Sequence, residues 1–263
     1  MYLRAVTGMI GSYLSYRLRA GNRHGLHSPF VYGLMDKVIG SSGARAEEPI
    51  EALRTTLLKS TKRLQIDDYG AGSRVSKSAE RTVGEIARSS ASRPADAAML
   101  QRLVDHLGLR KLIELGSNLG LTTAYLAAAA CRPELHSIEG DASLAAMARE
   151  HLRALGLDAT VHQGAFKYIL PEVLERCGQV DLVYLDGHHT REATLGYYAQ
   201  VLPYCHDDTV LAVGDIHWSK DMEMAWQELR QDAQVSLSID LFYMGLLFFR
   251  KGVPKQHFIL KHP

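Results

Sequence analysis

The stretch KLIELGSNLGLTTAYLAAAA, residues 111–130, decides how the chain is read. Lys111 to Leu115 reads as a buried strand, Gly116 to Gly120 as a glycine-bracketed turn, and Leu121 onward as a helix. A strand that feeds a helix through a turn of small residues presents backbone N–H groups at the strand's carboxyl end. Open α/β sheets bind their ligands at that end.

Downstream, the alternation is regular. LHSIEG is a short strand ending in an acid, and DASLAAMAREHLRALG is a helix closed by Gly156. ATVHQG, VDLVYLDG and DTVLAVGDIHW are further strands, separated by the helical segments FKYILPEVLERCG and TREATLGYYAQVLPYC. SKDMEMAWQELRQD is a helix with Met222, Ala225, Trp226 and Leu229 on one face. VSLSIDLF and GLLFFRK are joined too tightly for a helical crossover, so they pair antiparallel. The expected fold is α/β: a Rossmann-like, doubly wound, mainly parallel seven-stranded sheet with an antiparallel C-terminal strand pair.

Upstream, the chain reads as mostly helical. MYLRAVTGMIGSYLSYRLRA is an amphipathic helix, broken by Arg4, Arg17 and Arg19, rather than a signal peptide. Ser28 and Pro29 mark a helix start, with Phe30, Leu34 and Val38 at helical spacing. Helices follow over Ile50–Lys62 and Ala79–Ala87, and a last one over Ala95–Leu107 leads into the deciding strand. The polar linker RSSASRPAD suggests a division into an N-terminal cap or lid, 1–94, and a catalytic domain, 95–263.

The chain has 263 residues, 46% hydrophobic and 22% charged, which fits an ordinary globular protein with one large domain plus a cap. No apolar run is long enough to span a bilayer, so no membrane partner is expected. Cys131, Cys177 and Cys205 are scattered and lack CxxC spacing, so the sequence predicts neither a disulfide framework nor a zinc site, and a cytoplasmic setting is the default. Residues 1–95 hold 15 Lys and Arg against 8 Asp and Glu, and the remainder holds 15 against 21. A basic cap could recruit an anionic substrate or nucleic acid. The basic residues are spread out, however, without a dense run or interleaved aromatics, which favours two solvated surfaces.

Two glycine-rich turns compete for the ligand: DDYGAGS (67–73) and ELGSNLG (114–120). A nucleotide loop needs a strand before it, a helix after it and a second strand ending in an acid about 20 residues on. Only the second turn has that context, with Glu139 as the acid. The first turn reads as a bend in the cap. GxGxxG is absent, and Asn118 stands where a pyrophosphate loop needs glycine, which argues against a dinucleotide and an NAD-dependent oxidoreductase. Glu114 suits a cationic ligand such as the ammonium group of S-adenosylmethionine.

ELGSNLGLTTAYLA, SIEGD, VDLVYLDGHH and VLAVGDIHWS resemble successive motifs of class I S-adenosylmethionine-dependent methyltransferases, over about residues 95–250. The branch most resembled is the small-molecule O-methyltransferases of catechol and caffeoyl-CoA type. HGLHSPFVY, DYGAGS and DIHWS are similar to stretches of uncharacterised bacterial methyltransferase-like proteins. The resemblance implies that Glu114, Gly116, Ser117 and Gly120 line the methionine part of the donor and that Glu139 binds the ribose. It also implies that Gln163, Gly164, Ala165 and Phe166 lie near the adenine; Asn118 and Gly140 belong to the same turns.

The chemistry of the acceptor falls to the ends of two strands, Asp186-Gly187-His188-His189 and Gly214-Asp215-Ile216-His217-Trp218. The D-x-x-H spacing resembles a branch of metal-dependent sugar O-methyltransferases, which implies Asp186 as a metal ligand and His189 as the general base. That branch has two adjacent acids at the next strand's end, whereas here Gly214 precedes Asp215. Asp186 and Asp215 would then be the protein ligands of Mg2+. His188, His217, Trp218 and Tyr69 are candidates for the substrate pocket, and His24 and His27 for loop roles. The expected reaction is methyl transfer to a small-molecule hydroxyl. The alternative, from another class, is a nucleic-acid methyltransferase or binding protein. A homodimer is the expected assembly, if the chain associates.

Overall fold

The computed structural model describes residues 2–22, 27–41, 47–66 and 80–262. The DDYGAGS turn, Tyr69 and His24 lie outside the described residues.

In chain order the elements are α1 (Tyr2–Arg19), α2 (Pro29–Leu34) with a π-helical turn Met35–Ile39, α3 (Glu48–Lys59), β1 (Arg63–Gln65), β2 (Glu80–Thr82), α4 (Val83–Ser90) and α5 (Pro94–Leu107). Then come β3 (Lys111–Leu115), α6 (Leu121–Ala127), β4 (Glu134–Glu139), α7 (Ala142–Ala154), β5 (Thr160–Gln163) and α8 (Phe166–Cys177). The chain continues with β6 (Val180–Leu185), α9 (Arg191–Val201), a 3-10 turn Leu202–Tyr204, β7 (Cys205–Gly214), α10 (Lys220–Gln231), β8 (Leu237–Asp240), β9 (Met244–Phe248) and β10 (Gln256–Ile259).

Local chemistry explains most of these boundaries. Ser28 accepts a hydrogen bond from the Val31 N–H, and Pro29 occupies the first helical position of α2. Thr82 and Glu85 form a reciprocal capping box at the start of α4. Asp141 caps α7 through the Leu144 N–H, and Gly156, at φ 65°, follows its last turn. The helix expected from Ala79 begins only at Val83. Thr82 is its cap, and Glu80–Thr82 pairs antiparallel with Arg63–Gln65, aided by an Arg63–Glu80 ion pair at 2.8 Å.

The central sheet is mostly parallel and has eight strands in the order β10-β8-β9-β7-β6-β3-β4-β5. The β/α alternation from β3 to β7 is as the sequence predicts, and β9 runs antiparallel to both β7 and β8. The strand count is corrected from seven to eight. Residues 256–259 form β10, which adds in parallel to β8. It is short and partly exposed, so it lacks the apolar run that marks β3 and β6.

The chain divides into two compact units, one comprising Met1–Ser42 and Gly178–Pro263, the other Gly43–Cys177. In the second unit, Leu57, Val83, Ile86, Leu121, Tyr125, Leu144 and Leu152 belong to one buried apolar cluster. In the first, Tyr16 and Ala20 of α1 and the segment after it pack on Phe242.

Candidate functional site

In the Gly43–Cys177 unit, β3 delivers the deciding turn. Gly116 (φ 104°), Asn118 (φ 49°) and Gly120 (φ 78°) all adopt the left-handed region, which glycine enters freely and asparagine tolerates. A Cβ at Gly120 would lie 3.0 Å from the Ala148 Cα, so α6 and α7 approach closely there. The Gly116 N–H donates to the Ile138 carbonyl, and the Asn118 N–H donates to Glu139 Oε2 at 2.7 Å. The Asp141 N–H donates to the other Glu139 oxygen at 3.0 Å. Glu139 therefore fastens the turn after β3 to the turn after β4. Burial raises its pKa, against the lowering effect of these N–H donors.

Glu114 is completely buried one residue before the end of β3. Its Oε2 accepts from Thr123 Oγ1 and from Ser137 Oγ, both at 2.5 Å. Since Ser137 donates to Glu114, Ser117 must donate to Ser137 across their 2.5 Å contact. The acid expected to attract an ammonium group is thus held by hydroxyls beneath the turn. Gly140 follows Glu139 directly. Gln163 is exposed at the end of β5, and Gly164 (φ 150°) donates its N–H to the Glu139 carbonyl. Ala165 and Phe166 are half-buried at the start of α8. The structure thus gathers the sequence-predicted residues of this unit around three neighbouring parallel strand ends.

In the other unit, β6 and β7 are parallel neighbours with Leu185 beside Val213, so Asp186 and Gly214 are adjacent. A Cβ at position 214 would run into Asp186 Oδ1 and come within 3.1 Å of its Cγ. The Asp186 carboxylate occupies the space that a second acid would need. Asp215 (φ 55°) donates its N–H to the Tyr243 carbonyl, and its own carbonyl accepts from the Trp218 N–H. His189 Nε2 lies 3.8 Å from Asp215 Oδ2, within ion-pair range but beyond a hydrogen bond. Both side chains are partly accessible. Asp186 and Asp215 are oxygen donors of the kind Mg2+ takes, and they are the residues that would hold it.

His188 (φ 61°) shares a 2.7 Å hydrogen bond between its Nδ1 and the Tyr197 hydroxyl. His217 is engaged at both ring nitrogens, Nε2 with Asp240 Oδ2 at 2.9 Å and Nδ1 with Glu223 Oε1 at 3.3 Å, and it stacks on Phe242. Trp218 is half-buried, and His27 is exposed. Sequence reasoning missed Ser137, Thr123, Tyr197 and Asp240. Thr123 and Ser137 lie inside two of the quoted motifs and Tyr197 and Asp240 outside them, but the role of each is defined by a partner brought to it by the fold.

The family described as a methyltransferase domain matches residues 113–216. That segment starts in β3 and ends just past β7, so it contains every strand end described above. Residues 113–216 are thus similar to that family, in agreement with the resemblance read from the motifs. No curated protein matches the chain. Among solved structures, the O-methyltransferase TomG from Streptomyces achromogenes, crystallised with SAM, is similar with a TM-score of 0.53 at 20% identity over 62% of this chain and 82% of that one. The O-methyltransferase from Bacillus cereus in complex with SAH gives 0.52 at 16% identity over 60% and 83%. Cofactor-bound Rv0187 from MTB gives 0.59 at 16% identity over 87% and 100%. No helix is long and apolar enough to cross a membrane among the described residues.

Proposed function

We propose that the chain is an S-adenosylmethionine-dependent O-methyltransferase acting on the hydroxyl of a small molecule. The observation that carries this reading is the turn Gly116–Gly120, tied through the Asn118 N–H to the strand-end acid Glu139 within the segment similar to a methyltransferase domain. The residues suit the donor: Glu139 offers carboxylate lone pairs to ribose hydroxyls, and Gly116 and Gly120 keep both ends of the turn free of side chains. Bound there, S-adenosylmethionine supplies an electrophilic methyl group on a sulfonium. Gln163, Gly164, Ala165 and Phe166 are the candidates for the adenine end. The similar structures solved with SAM or SAH support the same choice of donor.

The chain's own part in the chemistry is positioning and proton removal. Holding two reactants in line is worth about 7–11 kcal/mol of barrier. A hydroxyl must also lose its proton as its oxygen forms the new bond to carbon. His189 is the proposed base. Asp215 Oδ2 lies 3.8 Å from its Nε2. His188 is committed to Tyr197, and His217 to Asp240 and Glu223, so His189 is the better-placed imidazole of the three. We assign His188 and Trp218 to the acceptor side and residues 1–94 to a cap, acting in the cytoplasm.

Calorimetry should detect S-adenosylmethionine binding that Gly116→Arg abolishes. In a methyl-transfer screen over catechols, sugars and hydroxy acids, His189→Ala should lower kcat by about 10²–10⁴-fold with donor affinity retained. Absence of donor binding would refute the function, and an unchanged rate would refute only the base.

A further inference from the structure

Away from the donor turn, the opposite end of β4 gathers a different set of side chains. Glu134 opens the strand and His136 is two residues on, while Cys177 closes α8. Glu134 Oε1, a ring nitrogen of His136 and Cys177 Sγ all lie within 4.8 Å of one another. His136 and Cys177 are buried, and Glu134 is 54% exposed, so the cluster is reached from solvent along the carboxylate. Five residue steps along β4 separate Glu134 from Glu139, about 16 Å at the usual strand rise. The site is thus distinct from the donor turn and independent of the methyl-transfer reading.

We propose that Glu134, His136 and Cys177 bind a divalent transition metal of the zinc class, with His162 as a positioning residue. Carboxylate, imidazole and thiolate are the ligand types zinc takes, and a mixed set with sulfur disfavours magnesium and calcium. One of the three ligand pairs already has the spacing a tetrahedral ion requires. His136 Nε2 and Glu134 Oε1 are 3.1 Å apart, and two ligands on one tetrahedral zinc sit about 3.3 Å apart given ordinary bond lengths. Rotation of the exposed Glu134 side chain and of Cys177 at the helix end supplies the remaining contraction. Three protein ligands leave the fourth corner to water.

His162 makes the cluster more than a chance meeting. Its Nε2 lies 3.0 Å from His136 Nδ1, the ring nitrogen that faces away from Glu134. A metal-binding imidazole commonly uses its second nitrogen to hydrogen-bond a partner that fixes its tautomer. With a metal on His136 Nε2, the ring proton resides on Nδ1 and is donated to His162 Nε2. The Cys177 thiol proton is released to solvent as the sulfur–metal bond forms. Lys111 Nζ donates to the Cys177 carbonyl at 2.7 Å, which anchors the helix end that carries the thiol.

The test uses the purified full chain, stripped with a chelator and titrated with Co2+ alone, then with Zn2+. The proposal requires about one equivalent of Co2+, a sulfur-to-cobalt charge-transfer band in the near ultraviolet, and its displacement by Zn2+. The band should vanish in Cys177→Ser and persist in Cys131→Ser and Cys205→Ser. Glu134→Gln should weaken Co2+ binding at least about tenfold, and His162→Gln about 10–100-fold. No band in the parent protein, or a band that survives Cys177→Ser, overturns the site. Should Cys177→Ser fail to fold, Glu134→Gln decides alone, because the residue is exposed and the change conservative; unchanged affinity there overturns the site as well.

Discussion

Gly214 is where the D-x-x-H resemblance meets the limits of space. The residue has ordinary backbone angles, so glycine's conformational freedom is not what it provides. It leaves room for Asp186, whose carboxylate lies where a Cβ would be. Gly214→Ala should therefore cost about 1–3 kcal/mol in urea denaturation, the usual range for overpacking. Repeating the change in an Asp186→Ala background should remove most of that cost, because the clash partner is gone. An additive double-mutant cycle would refute the packing explanation. Gly214→Asp, which restores the second acid of the metal-dependent pattern, should destabilise for the same reason. At this scale the sequence was informative about backbone but not about side-chain partners. Gly116, Asn118 and Gly120 are legible because a strand-to-helix turn demands left-handed residues at short spacing. The fates of Glu114 and Asp186 are not, because hydroxyls from β4 and α6, and a strand-end glycine 28 residues away, decide them.

Elements meet at His217, which joins the turn after β7 to the start of α10 through Glu223 and to the end of β8 through Asp240. Ser12 of α1 adds a hydroxyl donor to the same Glu223 oxygen at 2.8 Å. Asp240 also accepts from the Phe242 N–H at 2.9 Å and so supports the left-handed Phe242 on which the imidazole stacks. Burial disfavours the charged ring, but the hydrogen bonds and charges of Asp240 and Glu223 outweigh it and raise the His217 pKa above its ordinary value. A raised folded-state pKa means that the native state binds the proton more tightly than the unfolded chain. The contribution is complete below the unfolded value, about 6.5, and is lost as pH rises through the higher folded value. Urea unfolding followed as the pH rises from below about 6.5 should show this loss of stability. His217→Gln should flatten that part of the profile; an unaltered profile would show that the histidine is neutral when folded. The elements themselves were readable from capping residues and apolar period. This junction was not, since an Asp-His-Glu arrangement across residues 217, 223 and 240 has no spacing rule.

Over the whole molecule, sequence reading succeeds where burial is two-sided and fails at the edge. β6 is buried at five of its six positions, as strands of a parallel sheet usually are, and the mostly apolar run VDLVYL announces it. β10, at the end of the strand order, has the exposed start of an edge strand, and what fixes it lies at the other end of the sequence. Leu260 donates its N–H to the Asp240 carbonyl, Gly21 exchanges bonds with Ile259 and Lys261, and the Tyr16 hydroxyl donates to the Leu260 carbonyl at 2.6 Å. The His262 N–H donates to the same hydroxyl at 3.3 Å. Burial raises the Tyr16 pKa to about 12, so the phenol stays protonated and able to donate throughout the neutral range. Tyr16→Phe keeps the ring against Phe242, at 5.3 Å between centroids, but strips the Leu260 carbonyl of its donor. A buried carbonyl left without that bond costs about 1–3 kcal/mol. The loss should be local. Hydrogen exchange should accelerate at the Gly21 and Lys261 amides while the Val183 and Leu211 amides, in the buried strands β6 and β7, keep their protection. Uniform acceleration at all four would mean that α1 and β10 open only with the rest of the fold, and the edge would then be an integral part of its cooperative core.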